Sequence, residues 1–512
     1  MRQNTEGVYF LKNLSTFALR ILPNQSLKMN REFLINTLFL VLINLIIKPF
    51  YIFGIDRAVQ NRVGESHYGL YFALFSFTFL FQIINDFGIQ NFNSRQISQN
   101  RHLLETYFSG IMSLKIGLAI LYLLVATAIS AFIPTYWAVL PMVLGLAFNN
   151  ILLSLRAYLA SNVAALDMYR LNSLLSVLDR VLLIILCAVL LWVSPFKENF
   201  TIEWFVHAQN ITLLLTVLVT FFVVFKHVAV FKISWNRPFF ITILRGSMPY
   251  ALSILLMTIY TRTDAVMLKE MLEDGNRQVG IYASAYRLLD AVNTLGLLFA
   301  GLLLPMFAKQ LKENVDVTPL VRFSFQLIMV AATIVAGTVC FFRTDIMLLL
   351  YDQATPFSGD VLGVLMGSFV AVSGTYIFST LIGASGNVRL MNQIFIVALI
   401  LNIGLNVLLI PHFKALGTAI STFTTQFFVL FALIVLTKKA NILRGSFAWM
   451  SRSVVFGLAV LSITFLIKNG SIFPNWYVQM AVSVAVSGVL AAAMGFFNYK
   501  KLEVLLKKHE LQ

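Results

Sequence analysis

Fourteen predominantly apolar stretches, each about 19 to 28 residues long, recur along the chain near 33–54, 68–92, 106–133, 136–160, 172–194, 204–226, 247–268, 281–308, 320–342, 361–382, 388–411, 415–437, 450–468 and 475–497. A helix rises about 1.5 Å per residue and a bilayer core is about 30 Å thick, so each stretch is long enough to cross a membrane. The polar connections between them are too short to fold as soluble domains. The runs are continuous instead of alternating, which excludes an outer-membrane barrel. With 59% hydrophobic and 12% charged residues and a mean hydropathy of +0.83, the chain has too little polar surface to live in water. An all-α membrane protein with about 14 transmembrane helices is predicted.

Charge placement predicts the topology. With a cytoplasmic N-terminus, roughly 25 of the 38 Lys and Arg fall in inner segments and about 8 in outer ones, so both termini are expected in the cytoplasm. The clusters Lys226, Lys232, Arg237, Arg245 and Lys438, Lys439, Arg444, Arg452 carry most of this bias, while Glu270, Glu273, Asp274, Asp345, Asp352 and Asp360 fall outside. The same dispersal argues against nucleic acid as a partner for a chain of net charge +16. Residues 1–32 show helical spacing of Phe10, Leu11, Leu14, Phe17, Ala18 and Ile21, the pattern of a segment lying on the membrane surface, and no small-residue cleavage site follows the first apolar run. The basic tail, 498–512, has a similar pattern.

Gly69-Leu70-Tyr71 opens the second stretch and Gly280-Ile281-Tyr282 the eighth. This internal repeat implies two six-helix lobes as parallel repeats, an N-lobe over 33–226 and a C-lobe over 247–437. A cytoplasmic linker spans 227–246, and two extra C-terminal helices fall within 438–497.

Ionisable groups at membrane depth are costly unless paired or hydrated, which marks each as a candidate. Lys115, Arg180 and Arg287 lie deepest, while Lys48 and Arg262 sit near outer span ends where long side chains can reach headgroups. The intramembrane acids are Asp86, Asp179, Asp264 and Asp290. Asp290 follows Arg287 by three residues and could simply pair with it. Asp179 points about 100° away from Arg180 around the helix and is not its obvious partner. Five bases against four acids fit a cavity with a basic zone and separate acidic sites for a coupling Na+ or H+; Asp86, Asp264 and Asp290 are the candidates for the latter. Asn36, Asn44, Asn85, Asn149, Asn150, Asn402 and Asn406 could bond between helices or line a wet cavity.

Catalytic constellations are absent. The six His are scattered, and no HExxH, CxxC or phosphate-binding GxxxxGK[ST] occurs. Cys187 and Cys340 both fall in apolar stretches, so neither a disulfide nor a metal site is expected. These patterns point to transport and not to an enzyme.

The run from Lys48 to Arg57, KPFYIFGIDR, followed by Tyr68-Gly69-Leu70-Tyr71, then Gly280 to Arg287, GIYASAYR, and Leu405 to Pro411 with Gly417-Thr418-Ala419, resembles bacterial oligosaccharide flippases of the polysaccharide biosynthesis family. These belong to the multidrug, oligosaccharidyl-lipid and polysaccharide exporter superfamily. The resemblance implies a V-shaped, two-lobed bundle in the bacterial inner membrane. It would move an undecaprenyl-diphosphate-linked oligosaccharide to the outer leaflet, working beside glycosyltransferases and a glycan polymerase. Basic cavity residues would hold the diphosphate, here Lys48, Lys115, Arg180 and Arg287, with Arg262 a further candidate. Lipid II is a competing substrate, because peptidoglycan-precursor flippases of the superfamily also have fourteen spans. Cation-coupled drug extrusion and a non-transporting scaffold for glycan assembly compete with both.

Overall fold

The computed structural model describes residues 43–99, 103–166, 168–228, 232–233, 235–443, 448–470 and 473–496. The predicted surface segments at 1–32 and 498–512 lie outside them. The described residues are helical with no strand: α1 (43–63), α2 (Glu65–Leu80), α3 (Gln82–Asp86), α4 (Ile89–Gln99), α5 (Leu103–Ala131), α6 (Pro134–Trp137), α7 (Leu140–Ala165), α8 (Tyr169–Trp192), α9 (Ile202–Phe225), α10 (Arg237–Glu270), α11 (Gly275–Lys312), α12 (Thr318–Phe341), α13 (Arg343–Leu350), α14 (Pro356–Ser385), α15 (Val388–Lys439), α16 (Trp449–Asn469) and α17 (Trp476–Ala493).

Ten of these helices are long and apolar enough to cross a membrane, so the chain is a multi-pass membrane protein. One of the ten, α15, holds two predicted stretches. Its 52 residues are interrupted at Lys414 (φ 52°, ψ −131°), just after Pro411. A straight helix would put Asn402 and Ser421 about 28 Å apart. Instead the Asn402 amide donates to Ser421 Oγ at 3.3 Å, so the chain turns back on itself. Gly417 is required there, because a Cβ would lie 2.5 Å from the Leu409 carbonyl oxygen.

The predicted continuous span 68–92 is broken into α2, α3 and α4. Phe81 leaves helical geometry (φ −90°, ψ 2°), and Phe87 and Gly88 take positive φ of 49° and 73°. In α1, Pro49 removes an amide donor, and residues Tyr51–Asp56 widen into a π-helical turn that turns Tyr51, Ile52, Ile55 and Asp56 into the core. Among the described residues the asparagines in apolar stretches mostly bond between helices, and Asn36 lies outside those residues. Asn44 reaches Ser176, Asn85 the Asn150 carbonyl, Asn149 reaches Asn210, and Asn150 both Thr78 and Tyr122. Cys187 and Cys340 are free, as packing residues.

The two copies of the Gly-x-Tyr motif meet at the molecular midline. Gly69 on α2 lies against the backbone of Asn276 and Gly280 on α11, and Gly280 lies against the carbonyl of Glu65. Each motif tyrosine reaches the sixth stretch of its own half: Tyr71 accepts from Gln209 on α9 at 2.8 Å, and Tyr282 is 3.4 Å from Thr422 on α15. On the face carrying the acidic connections, the α1–α2 turn is clasped by the α13–α14 turn. Arg57 donates to the Leu350 carbonyl, Asn61 to the same oxygen at 3.0 Å, and the Glu65 amide to Gln353 Oε1 at 2.8 Å. Arg277 pairs with Glu65 at 3.4 Å, although burial still holds the Glu65 carboxyl above the usual carboxylate range. One hydrophobic core, running from Tyr51 to Ala419, crosses both halves at this end. Toward the basic face each half has its own core, the first taking in Ile243 from the start of α10. The molecule is thus sealed at its acidic face.

A Cβ at Gly69 or Gly280 has nowhere to go except into backbone. Gly69→Val or Gly280→Val should therefore lower stability by about 3 kcal/mol or more, whereas Gly301→Ala, with open space around it, should be silent. Thermal unfolding of the detergent-purified variants reads this directly, and a midpoint for Gly280→Val equal to that of Gly301→Ala would refute the seam.

Candidate functional site

A cavity of about 460 Å³ lies between the halves, lined by α1, α2, α7, α8 and α9 on one side and α10, α11, α14 and α15 on the other. Four cations, Lys48, Arg180, Arg262 and Arg287, and three acids, Asp179, Asp264 and Asp290, line it. The structure thus brings together four of the five predicted basic residues and two of the three predicted acidic ones. Lys48 and Arg262, read from sequence as able to reach headgroups, face this cavity.

The first basic group surrounds Asp179. Arg156 on α7 pairs with it at 2.6 Å and Arg180 at 3.5 Å, and Lys48 on α1 is within electrostatic reach of all three. The sequence reading that set Asp179 apart from Arg180 is corrected: an arginine is long enough to curl back onto its neighbour. Arg156 was missed altogether, because it lies near the end of its apolar stretch, where a cation needs no special explanation. Three cations to one carboxylate leave this pole positive. Arg180 also lies over the Tyr51 ring, 4.7 Å from its centroid, which fixes the guanidinium plane.

Arg287 stands differently. Its Nε is 3.2 Å from Asp56 Oδ2 and donates to Tyr68 Oη at 3.0 Å, while Asp290 is 3.9 Å away. The pairing with Asp290 expected from the i, i+3 spacing is therefore secondary to a partner in the other half of the chain. Asp56 is buried and also accepts from Tyr51 at 3.3 Å and Tyr68 at 2.6 Å. It was missed because it lies two residues beyond the predicted end of the first stretch; the π-helical turn brings it inside. Arg262 lies over Phe75 and Phe79, its guanidinium 5.6 and 5.0 Å from the ring centroids, and its Nη1 is buried with no hydrogen-bond partner among the described residues.

Lys115 is not at this cavity. Its ammonium pairs with Asp86 at 2.8 Å and donates to Ser154 Oγ at 2.5 Å, with the Asn85 carbonyl at 3.5 Å. The pair closes the broken end of α3, so the two residues answer each other and neither is free for substrate or coupling ion. Breaking such a pair leaves an uncompensated buried charge, which costs about 3–5 kcal/mol. Lys115→Met should lower the unfolding midpoint sharply, and adding Asp86→Leu should recover most of the loss. A single variant as stable as the parent chain would remove this assignment.

Asp264 alone among the predicted acids has no cationic partner within 4.0 Å among the described residues. Its Oδ1 accepts from Asn406 at 2.7 Å, and its Oδ2 from Thr422 at 2.7 Å and Tyr282 at 3.2 Å. Asn402 Oδ1 accepts from Asn406 at 3.2 Å, and Asn406 Oδ1 and Thr418 Oγ1 have no partner among the described residues. A buried carboxylate with neutral hydrogen-bond donors and no cation beside it suits a proton or a hard monovalent cation.

A helical bundle of two similar halves with a charged cavity between them defines a multi-pass membrane protein with a charged internal site. Residues 33–311 match the polysaccharide biosynthesis protein family, and the chain belongs to that family. Among solved structures, it is similar to the lipid II flippase MurJ in an inward closed conformation, with 14% identity over 90% of this chain and 99% of the other and a TM-score of 0.67. It is also similar to an inward-facing multidrug resistance MATE family transporter of the MOP superfamily, with 16% identity over 79% and 97% and a TM-score of 0.56. A MOP superfamily transporter from Pyrococcus furiosus aligns with 15% identity over 80% and 95% and a TM-score of 0.55. These likenesses establish the fold. A comparison with curated protein sequences gives no match.

Proposed function

We propose that the protein is a flippase of the bacterial inner membrane, with both termini cytoplasmic. It moves an undecaprenyl-diphosphate-linked oligosaccharide, a repeat unit of O-antigen, capsule or exopolysaccharide, from the cytoplasmic to the outer leaflet by alternating access. The observation that carries this reading is the positive pole of the cavity, where Lys48 and Arg180 line the wall beside the single carboxylate of Asp179, and Arg156, outside that lining, pairs with the same carboxylate. A diphosphate needs several cations at once, and arginine offers its oxygens two parallel donors. Glycosyltransferases would supply this substrate and a polymerase would consume it. Asp264 is the coupling site, taking up Na+ or a proton, because Asp86 is paired with Lys115 and Asp290 lies beside Arg287 and Arg262.

Lipid II is the second reading, favoured by one observation. The lipid II flippase structure aligns with 90% of this chain, against 79% for the inward-facing drug transporter, so it takes in more of the bundle. Rescue of cells depleted of their lipid II flippase separates the two.

Deleting the gene should leave lipid-linked repeat units on the cytoplasmic leaflet and remove a surface glycan; their accumulation on the outer leaflet would point to a block after flipping. Arg180→Ala should reproduce the deletion at normal membrane protein level, since the half-buried Arg180 holds no part of the midline seam. Asp264→Asn should abolish the dependence of transport in vesicles on a Na+ or proton gradient. Full gradient-driven transport in that variant would rule out Asp264 as the coupling site.

A further inference from the structure

The wall of the cavity changes character along α11. Past Arg287 and Asp290, Asn293 and Thr294 continue the same face, roughly 9 to 10 Å from Arg287 along the axis toward the basic end. Here α14 presents Thr375 and Tyr376, and α15 presents Gln426. Gln426 donates its amide to Tyr260 Oη at 2.7 Å, which leaves Gln426 Oε1 without a donor. Asn293 Oδ1 and Thr375 Oγ1 are likewise buried and have no hydrogen-bond partner among the described residues. Tyr376 is half-buried, packed edgewise on Gly296, where a Cβ would meet its ring at 2.6 Å.

Unsatisfied buried acceptors are uncommon, because each has given up water for nothing. Two carboxamide oxygens, of Asn293 and Gln426, and the Thr375 hydroxyl lie on three different helices and line one wall, and together they call for a ligand that brings donors and can also take the hydroxyl's own hydrogen. The diphosphate is the wrong ligand: it is anionic and supplies only acceptors. An isoprenoid chain brings no polar atoms at all. An organic cation would seek the Asp290 carboxylate, but Arg262 and Arg287 already face it. What fits is a neutral group dense in hydroxyls, whose C–H faces can also lie on the flat side of a tyrosine.

We propose that this wall is a sugar subsite. Asn293, Thr375 and Gln426 accept hydrogen bonds from the hydroxyls of the saccharide rings nearest the diphosphate, and Tyr376 supports a ring face. The inference rests on the flippase reading and gives it a division of labour: the Arg180 pole holds the charged linkage, and the wall of α11, α14 and α15 reads the sugar. The subsite then decides which oligosaccharides the protein accepts, because a site that lacks its donors leaves its own acceptors buried and unpaired.

Binding to the full-length purified protein is measured with two ligands: undecaprenyl diphosphate, and the lipid-linked oligosaccharide extracted from cells lacking the gene. The parent protein should bind the second about tenfold more tightly. Asn293→Leu with Thr375→Val should erase that difference while keeping the affinity for undecaprenyl diphosphate. Arg180→Ala should weaken both ligands alike. If the pair of substitutions lowers stability, Tyr376→Leu, which removes the ring face and keeps an apolar contact beside Gly296, should shift the ratio in the same direction by a smaller factor. Equal binding of the two ligands by the parent, or a variant that weakens both or neither, overturns the subsite and leaves the flippase reading standing. If the parent binds neither ligand but retains tetraphenylphosphonium, the flippase reading falls, and the subsite with it.

Discussion

The fold depends on the crossing of α2 and α11. In lipid there is no hydrophobic gain from bringing two apolar helices together, so close packing and interhelical hydrogen bonds have to supply the association. Gly69 and Gly280 allow backbone-to-backbone approach at one point, and that approach sets everything around it. It lets Gln60 donate to the Gly280 carbonyl at 3.2 Å, places Tyr68 beside Arg287, and carries the α1–α2 turn into the grip of the α13–α14 turn. Bulkier residues there would separate the halves, and with them the buried Arg287–Asp56 pair, whose members are far too costly to leave apart.

The charged residues at membrane depth divide into three kinds by what surrounds them. Lys115 with Asp86, and Arg287 with Asp56, are matched pairs that hold a broken helix end and the midline. Asp179 is outnumbered by the cations around it, which leaves positive charge unspent in the cavity. Asp264 has hydrogen-bond donors but no cation, which leaves negative charge unspent a short distance away. Near balance over the whole set, as counted from the sequence, therefore conceals a strong local separation. Only the position of each partner reveals it.

Helix type, approximate span ends and the paired halves were legible because apolar length, charge bias and the Gly-x-Tyr repeat are properties of contiguous residues. The partners were not. Lys115 and Asp86 are 29 residues apart, and they meet because the second stretch breaks at Phe87 and Gly88; a glycine two residues after a polar Asn85-Asp86 pair is the one local sign of that break. Asp56 and Arg287 are separated by most of the first half of the chain. Their contact follows from the midline crossing, which the repeat alone did not reveal, and from a π-helical turn, which no periodicity argument anticipates. Arg156 looked like a boundary residue by hydropathy alone. In each case hydropathy gave the depth of a charge, and tertiary pairing decided its role.

Asp264 on α10 and the midline seal are linked through one helix, α11. Tyr282, which donates to Asp264, lies five residues before Arg287 on α11. Its ring sits 5.5 Å from that of Tyr286, which in turn stands against Phe72 of α2 at 6.0 Å. Neutralising Asp264 changes what Tyr282 donates to, and Tyr282 cannot shift without moving the aromatic contact that keeps α11 on α2. A cation bound on one side of this helix and a substrate bound on the other would then each bias the same seam. That is the physical requirement for coupling: two sites acting on one element that has two packed arrangements.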